Sequence, residues 1–466
     1  MFARQTARRR LDAIVHAPAV NGGIVRSSGA MLAAAGVQGI PSALMGLRLC
    51  EVKIAVVGAG ISGLSAAYLL SRSHAVTLYE QNVRLGGHAH THDVVIDDRV
   101  FPVDTGFMVF NERTYPYFTR LLAELAVASR PSEMSFGVRC RRCELEFSSV
   151  GLDGLFAQRS RLLRPAHWRL LADILKFFRL GRLALESGGE RRTLGEFLDQ
   201  GGFGDQLARH FVLPMGGAIW SASPREMRRF PVVSYLRFMQ NHGLLAISGQ
   251  PSWRTIVGGS AVYVSALAER LGTGVRAGVP VRAVVRHDDG VSVRTDDGTV
   301  TDHDAIVIAT HADEALAVLA DASPSERDAL GRFRYSVNDT WLHSDNRCLP
   351  AASSAHASWN CDLADCRDPG SALSVTYDIN RLQGHRAGRA LLCTLNPIEP
   401  VQGETLARMA YAHPILDATA IDGQGLVSRL NGERRTWFCG AHLRYGFHED
   451  GMASAVAVAR EFGVEF

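Results

Sequence analysis

Residues 52–70, VKIAVVGAGISGLSAAYLL, constrain the fold more than any other stretch of the chain. Residues 52–57 are an apolar run of strand length. Gly58, Gly60 and Gly63 then spell G-x-G-x-x-G, and an alanine- and leucine-rich helical pattern follows to Leu70. A second strand, AVTLYE, ends at Glu80, twenty residues beyond Gly60. Three spaced glycines alone are a weak signal. Strand, glycine turn, helix, strand and acid in that order describe a dinucleotide-binding unit. Gly58 permits the tight turn, Gly60 lets backbone approach a pyrophosphate, and Gly63 lets the helix pack close to the strand. The helix N-terminus stabilises phosphate charge, and Glu80 is placed to accept hydrogen bonds from an adenosine ribose.

Just beyond lies LGGHAHTHDV, in which His88, His90 and His92 alternate. On a strand they share one face and resemble a metal triad. The preceding Gly86-Gly87 pair already explains the loop as backbone, and no convergent acidic or cysteine ligand is evident, so no metal is expected there.

The chain has 466 residues, enough for two or three domains. It is 47% hydrophobic and 21% charged, the balance of a globular enzyme. A net charge of +3 argues against nucleic acid. Arginine replaces lysine almost throughout, and Lys53 and Lys176 are the two lysines. Eight cysteines without a disulfide-framework spacing point to a reducing compartment. Cys140 and Cys143 form C-x-x-C, but their flanks alternate like a hairpin. Zinc would need two further ligands, and Cys361 and Cys366 are spaced by four, so the pair is read as part of a hairpin. Residues 1–50 hold one acid, Asp12, and the cluster Arg8 to Arg10. They read as a disordered extension or a start codon placed too early, since the spacing does not suit a twin-arginine leader.

Residues 158–185 are helix-like, with Trp168, Leu171, Leu175, Phe178 and Leu185 near one face and Arg169, Lys176, Arg179 and Arg182 interspersed. Such a helix either lies on a membrane surface or turns its apolar stripe to the core. A Gly-Gly turn in IVGGSAVYV opens another helix. Residues 278–310 alternate with Asp-Gly turns and finish in a buried strand, 305–310. The chain closes with a short strand ending near Gly440, a glycine-bearing loop and a helix from about Asp450. No second G-x-G-x-x-G unit appears, which disfavours a pyridine-nucleotide-dependent reductase.

In this order, these pieces resemble the flavin-dependent amine oxidase and carotenoid desaturase superfamily, over nearly everything after Glu51. The phrases FNERTYPYF, NHGLL, ATHADEAL, WNCDL, YDINRLQG and GFHEDGMASA resemble one bacterial subgroup of FAD-binding oxidoreductases. Its members are often associated with lipid methyltransferases of the cyclopropane-fatty-acid-synthase type. The resemblance implies an α/β protein with a discontinuous Rossmann-like FAD-binding domain (51–110, 251–315 and 425–466) and an inserted α+β substrate domain (111–250 and 316–424). It implies that Gly58, Gly60, Ser62 and Gly63 hold the FAD pyrophosphate, and that Glu80 binds the ribose. Arg84 would lie along the cofactor, and Gly86, Gly87 and His88 would cross near the flavin. Val281 would offer backbone bonds to the adenine, and Gly440 would pass near the phosphates. Gly451, Met452 and Ala453 would present the last helix's N-terminus to the isoalloxazine.

Departures from the family pattern matter. His88 stands where amine oxidases commonly have arginine. Many relatives place a lysine near flavin N5, and no segment expected to line the flavin has one. Ala441-His442 replaces an acidic residue often found after the C-terminal glycine. Candidate bases are His442, Tyr445, His448 and Glu449, with His88 beside them; Arg237 and Arg254 are candidate sites for an acidic head group. The resulting expectation is an FAD-dependent dehydrogenase or desaturase of a lipid acyl chain. Alternatives are a flavin amine oxidase and a flavin-binding scaffold for a lipid-modifying partner. The expected location is cytoplasmic, with peripheral contact at the inner membrane surface left open.

Overall fold

The computed structural model describes residues 51–188 and 190–466. The expectation for residues 1–50 therefore lies outside the described residues.

Strand β1 (Lys53–Val57) is buried after its first residue, as a run of IAVV flanked on both faces requires. Helix α1 (Ile61–Leu70) follows the glycine turn and is buried along its entire length. A helix apolar all round must be sandwiched, and α1 lies between the sheet and the last helix. Strand β2 (Ala75–Glu80) returns parallel to β1. Three more strands complete this sheet: β3 (Val275–Ala277), β4 (Ala305–Ile308) and β5 (Thr436–Phe438). The order is β3-β2-β1-β4-β5, with every neighbouring pair parallel. The chain builds outward from β1 on one side and then from β4 on the other. The crevice at the carboxyl ends of β1 and β4 is thus the topological switch point, where such sheets bind ligands.

Helix α2 (His448–Glu461) closes the chain and packs across α1. Gly451 makes this crossing possible, because a Cβ there would lie 2.7 Å from Ser62 Oγ and 2.8 Å from Ile61 Cγ2.

A second sheet has seven strands, in the order Thr405–Ile415, Arg334–His343, Leu392–Leu395, Leu373–Asp378, Trp359–Leu363, Phe136–Cys140 and Leu145–Ser148. All pairs are antiparallel except Trp359–Leu363 with Phe136–Cys140. Phe136–Cys140 and Leu145–Ser148 form the hairpin that the alternating flanks of Cys140 and Cys143 imply. A smaller antiparallel sheet, Val281–Arg286, Val291–Thr295 and Val300–His303, follows β3. It is pinned by Arg286, whose 1%-exposed side chain pairs with Glu326 at 2.7 Å and Asp321 at 2.6 Å.

Helix Pro165–Ser187 turns one side to the core. It buries His167, Leu170, Asp173, Phe177, Phe178 and Gly181. The packed face is offset by about one residue from the Trp168–Leu175 stripe read in the sequence, and it lies against the protein core. Among the described residues, no helix is long and apolar enough to cross a membrane.

Candidate functional site

Two glycine loops meet at the carboxyl end of β1. At Gly58, φ is +98° and a Cβ would sit 3.0 Å from Ala309 O, so β1 and the segment after β4 close together only through glycine. Gly63 is tighter still, with a Cβ 1.7 Å from Gly58 O. Gly60 is different: a Cβ there meets nothing within 4 Å. It is the N-cap of α1, and no side chain caps that helix. The N–H groups of the first turn are therefore left without a capping side chain, with the positive end of the helix behind them. Ser62 lies in this turn and is buried.

Glu80 stabilises the loop from below. Its Oε2 accepts from Ala59 N at 2.8 Å, and its Oε1 accepts from Asn82 N and Nδ2, both at 2.9 Å. The segment leading to Val281 runs beside it: Val279 N donates to Glu80 O at 2.8 Å.

The second loop is laced to the first. Gly86 N donates to Ala59 O at 2.8 Å, and a Cβ on Gly87 would lie 3.2 Å from Gly60 Cα. Arg84 bonds inward to this loop, donating to Ala89 O at 3.0 Å and Gly87 O at 2.9 Å. Its guanidinium thus shapes the loop.

The three alternate histidines separate. Strand Thr91–Ile96 begins only after His90. The His90 and His92 rings lie 4.1 Å apart, and His90 Nδ1 is 2.8 Å from Tyr411 Oη. His88 turns into the interior, where its Nε2 is buried without a partner. Its ring is 6.2 Å from His311 and 5.3 Å from His413. Burial, reinforced by His413 and His311, pushes His88 well below the ordinary imidazole range. Burial likewise lowers His413 to about 4 and His442 to about 3. Among the described residues, none of the four rings bonds to a carboxylate. His413 Nδ1 accepts from Asn338 Nδ2 at 3.1 Å, an amide oriented by its further bonds to Ser336 O and Tyr411 O. That leaves the His413 proton on Nε2.

Sequence reasoning missed His311, His413 and Tyr411. Their signals were present: His311 follows the carboxyl end of buried β4, and Tyr411 and His413 are two apart on one strand.

The C-terminal candidates divide. His442 is buried, edge-on to Phe333, and Tyr445 is half-buried. Gly440 N donates to Ser454 Oγ at 3.0 Å, and that hydroxyl bonds Gly451 O, which ties the loop to α2. Met452 is buried beneath the same turn, with Ala453 beside it partly buried. His448 and Glu449 do not suit the role of base. His448 stacks on Phe107 at 3.6 Å and meets Tyr263 Oη at 2.7 Å, so it is a packed core ring. Glu449 accepts from Tyr117 N and Phe118 N, each at 3.0 Å, and so caps helix Pro116–Glu124. Arg254 is likewise occupied, donating to Ser129 Oγ and O. Arg237 stays exposed on helix Val232–Asn241.

A cavity of about 490 Å³ opens at the N-terminal end of α2, walled by Tyr115, His242, Tyr445 and Phe447. Arg113 and Arg444 also line it. Glu449 and Asp450 reach it too, raised by burial to about 7 and about 6. Both carboxyls are tied to backbone amides.

A parallel sheet with a ligand crevice at its switch point, an uncapped helix and paired glycine loops define a dinucleotide-binding protein. More than half the chain, residues 61–351, matches the model of the flavin containing amine oxidoreductase family. The chain belongs to that family. It is 26% identical over 264 residues to a Mycobacterium tuberculosis protein named as a flavin-containing monoamine oxidase, AofH. That match covers 53% of this chain and 54% of the relative, so the chain spans about half the length of the curated relatives it matches. Cyclohexylamine oxidase from Brevibacterium oxydans shares the fold at a TM-score of 0.63 and 16% identity, over 89% of this chain and 100% of that one. A fatty acid isomerase from P. acnes does so at 0.64 and 15%, over 88% and 98%. The residues present fit a flavin cofactor: the open direction at Gly60 and the uncapped α1 N-terminus leave a cradle at the carboxyl end of β1, and His88 Nε2 in the adjoining loop is a buried polar atom without a partner among the described residues.

Proposed function

We propose that the protein is an FAD-dependent oxidoreductase that removes hydride from a C–H bond of a lipid acyl chain, as a dehydrogenase or desaturase. The observation that carries this reading is the interior beside the Gly86-Gly87 loop, where His88, His413 and His442 are held neutral by burial and no carboxylate among the described residues bonds to their rings. An alkyl substrate loses nothing beside these rings, and the carboxyls of the neighbouring cavity, Glu449 and Asp450, are already held by backbone amides.

In this reading the α1 N-terminus and the Gly58–Gly63 loop hold the pyrophosphate, Glu80 the ribose, the 279–281 segment the adenine, and the α2 N-terminus the flavin ring. When bound, FAD supplies the hydride acceptor. His88, neutral near pH 7 and with a free ring nitrogen, is the group placed to take a proton; His442 flanks the same space. The aromatic cavity at α2 orients the chain and excludes water, with Arg113, Arg237 and Arg444 near it for an acidic head group. Neither lysine is near: Lys53 opens β1 at the end opposite the crevice, and Lys176 donates to Gly202 O at 2.8 Å. The partition into an FAD-binding domain and a two-piece substrate domain, a partner lipid methyltransferase and contact with a membrane surface belong to the same proposal.

Lipids extracted from cells with and without the protein test it. A species lighter by two hydrogens only when the protein is present is the expected result; identical lipid profiles would contradict it. The AofH match favours a second reading, amine oxidation, which predicts peroxide release with polyamines or aromatic amines and no lipid change.

A further inference from the structure

The hairpin Phe136–Ser148 is the outer edge of the seven-stranded sheet; Cys140 ends its first strand and Cys143 lies in its turn. Two segments distant in sequence fold over that turn. One is the π-helical turn Ala208–Val212, bearing His210; the other is the loop after strand Trp359–Leu363, bearing Cys366. One donor atom from each of the four side chains lies within 4.8 Å of every other. We propose that Cys140, Cys143, Cys366 and His210 form a structural zinc site of the Cys3His type.

The chemistry of the set selects the metal. Three thiolates and an imidazole are soft to borderline donors that suit zinc and not magnesium or calcium. A tetrahedral site with Zn–S of about 2.3 Å and Zn–N of about 2.0 Å sets donor atoms roughly 3.6–3.8 Å apart. The four atoms already approach this, with His210 Nε2 at 3.3 Å from Cys143 Sγ. Four protein ligands leave no open position, which makes the site structural.

The surroundings support it independently. Glu144 adopts φ +53°, the left-handed turn that lets the chain double back beneath Cys143. His210 is 4% exposed, and its Nδ1 has no partner. The π turn that presents it is an unusual local geometry, frequent at functional sites. A zinc with three thiolates carries one net negative charge. Arg142 lies nearby with its nearest carboxylate, on Asp365, 3.8 Å away, and Arg161 bonds the Glu144 carbonyl at 3.1 Å.

In the sequence, zinc lacks two further ligands beside Cys140 and Cys143, and Cys361 and Cys366 are spaced by four, so the pair reads as part of a hairpin. The strand turns Cys361 into the core, its Sγ 3.8 Å from Pro214 O, and leaves Cys366 to the cluster. The fourth ligand comes from His210, 67 residues from Cys143. The metal would staple an edge hairpin, otherwise free on one side, to the helical layer beside it.

The test is metal analysis of the full chain, produced in zinc-supplemented medium without a histidine tag and purified without chelator. One zinc per chain is expected, falling by about tenfold or more in Cys143→Ser/Cys366→Ser while bound flavin is retained. Little zinc in the wild type, with Cys140 and Cys143 recovered as a disulfide, would overturn the proposal, as would zinc retained by the double variant. If that variant does not accumulate folded, cobalt exchanged into the wild type decides. An intense thiolate-to-cobalt charge-transfer band with tetrahedral d–d bands supports the site, and weak octahedral bands refute it.

Discussion

Gly60 and Gly63 lie three residues apart in one turn but respond oppositely to a side chain. Gly60 is extended, at φ −73° and ψ −175°, and faces open space. Gly60→Trp should therefore fold normally and lose flavin, seen as an unchanged circular dichroism spectrum with no flavin absorbance. Gly63→Ala drives a methyl to 1.7 Å from Gly58 O, and should cost at least about 2 kcal/mol in denaturant unfolding. Unchanged lipid products in folded, flavin-free Gly60→Trp would support the scaffold reading instead. His88→Ala should slow flavin reduction by about tenfold or more, or reduce flavin content; unchanged flavin content and turnover would contradict its assignment. The glycines were legible because each answers a local constraint. The histidines were less so, because alternation states which residues share a strand face, while His88 leaves that face in the turn before the strand begins.

At the scale of elements, helix starts and the strands of the parallel sheet were legible, since buried apolar runs and glycine punctuation mark them. What α2 does with its first turn was not. The GFHED segment reads as a reactive loop, yet the helix begins at His448 and turns Glu449 onto a neighbouring helix. Glu449→Ala should cost about 1–2 kcal/mol, as loss of a cap does, and leave the rate of flavin reduction unchanged. A lost rate with unchanged melting temperature would restore Glu449 as a base. The Arg286 ion pairs make a second element-scale prediction. Arg286→Met leaves Glu326 buried without its partner and should cost about 3–5 kcal/mol, and Arg286→Met/Glu326→Leu should recover most of that. The seven-stranded sheet was the hardest part to read, because its edge hairpin meets segments from elsewhere in the chain, bearing His210 and Cys366.

At the scale of the whole molecule, burial has shifted many titrating groups. Eleven histidines are lowered: His88, His90, His92, His167, His242, His303, His343, His385, His413, His442 and His448. Five carboxyls are raised: Asp104, Asp378, Glu449, Asp450 and Glu461. A lowered imidazole binds its proton more tightly in the unfolded chain, so its contribution is present above pH about 6.5 and is lost as pH falls toward about 4. A raised carboxyl acts oppositely, gaining stability as pH falls from its folded value, about 7 for Glu449 and about 6 for Asp104 and Asp450, to the ordinary carboxylate range near 4. The imidazoles outnumber the carboxyls, so unfolding free energy should fall between about pH 6.5 and 4.5. A urea midpoint that rises over that interval would show that the carboxyls dominate.

Substrate class is the claim on which the functional account turns. The direct measurement is anaerobic mixing of the purified flavoprotein with long-chain acyl lipids and, separately, with polyamines and aromatic amines, following flavin absorbance. Bleaching by a lipid and none by the amines is the expected result. Bleaching by amines alone, or by no long-chain lipid, would contradict it.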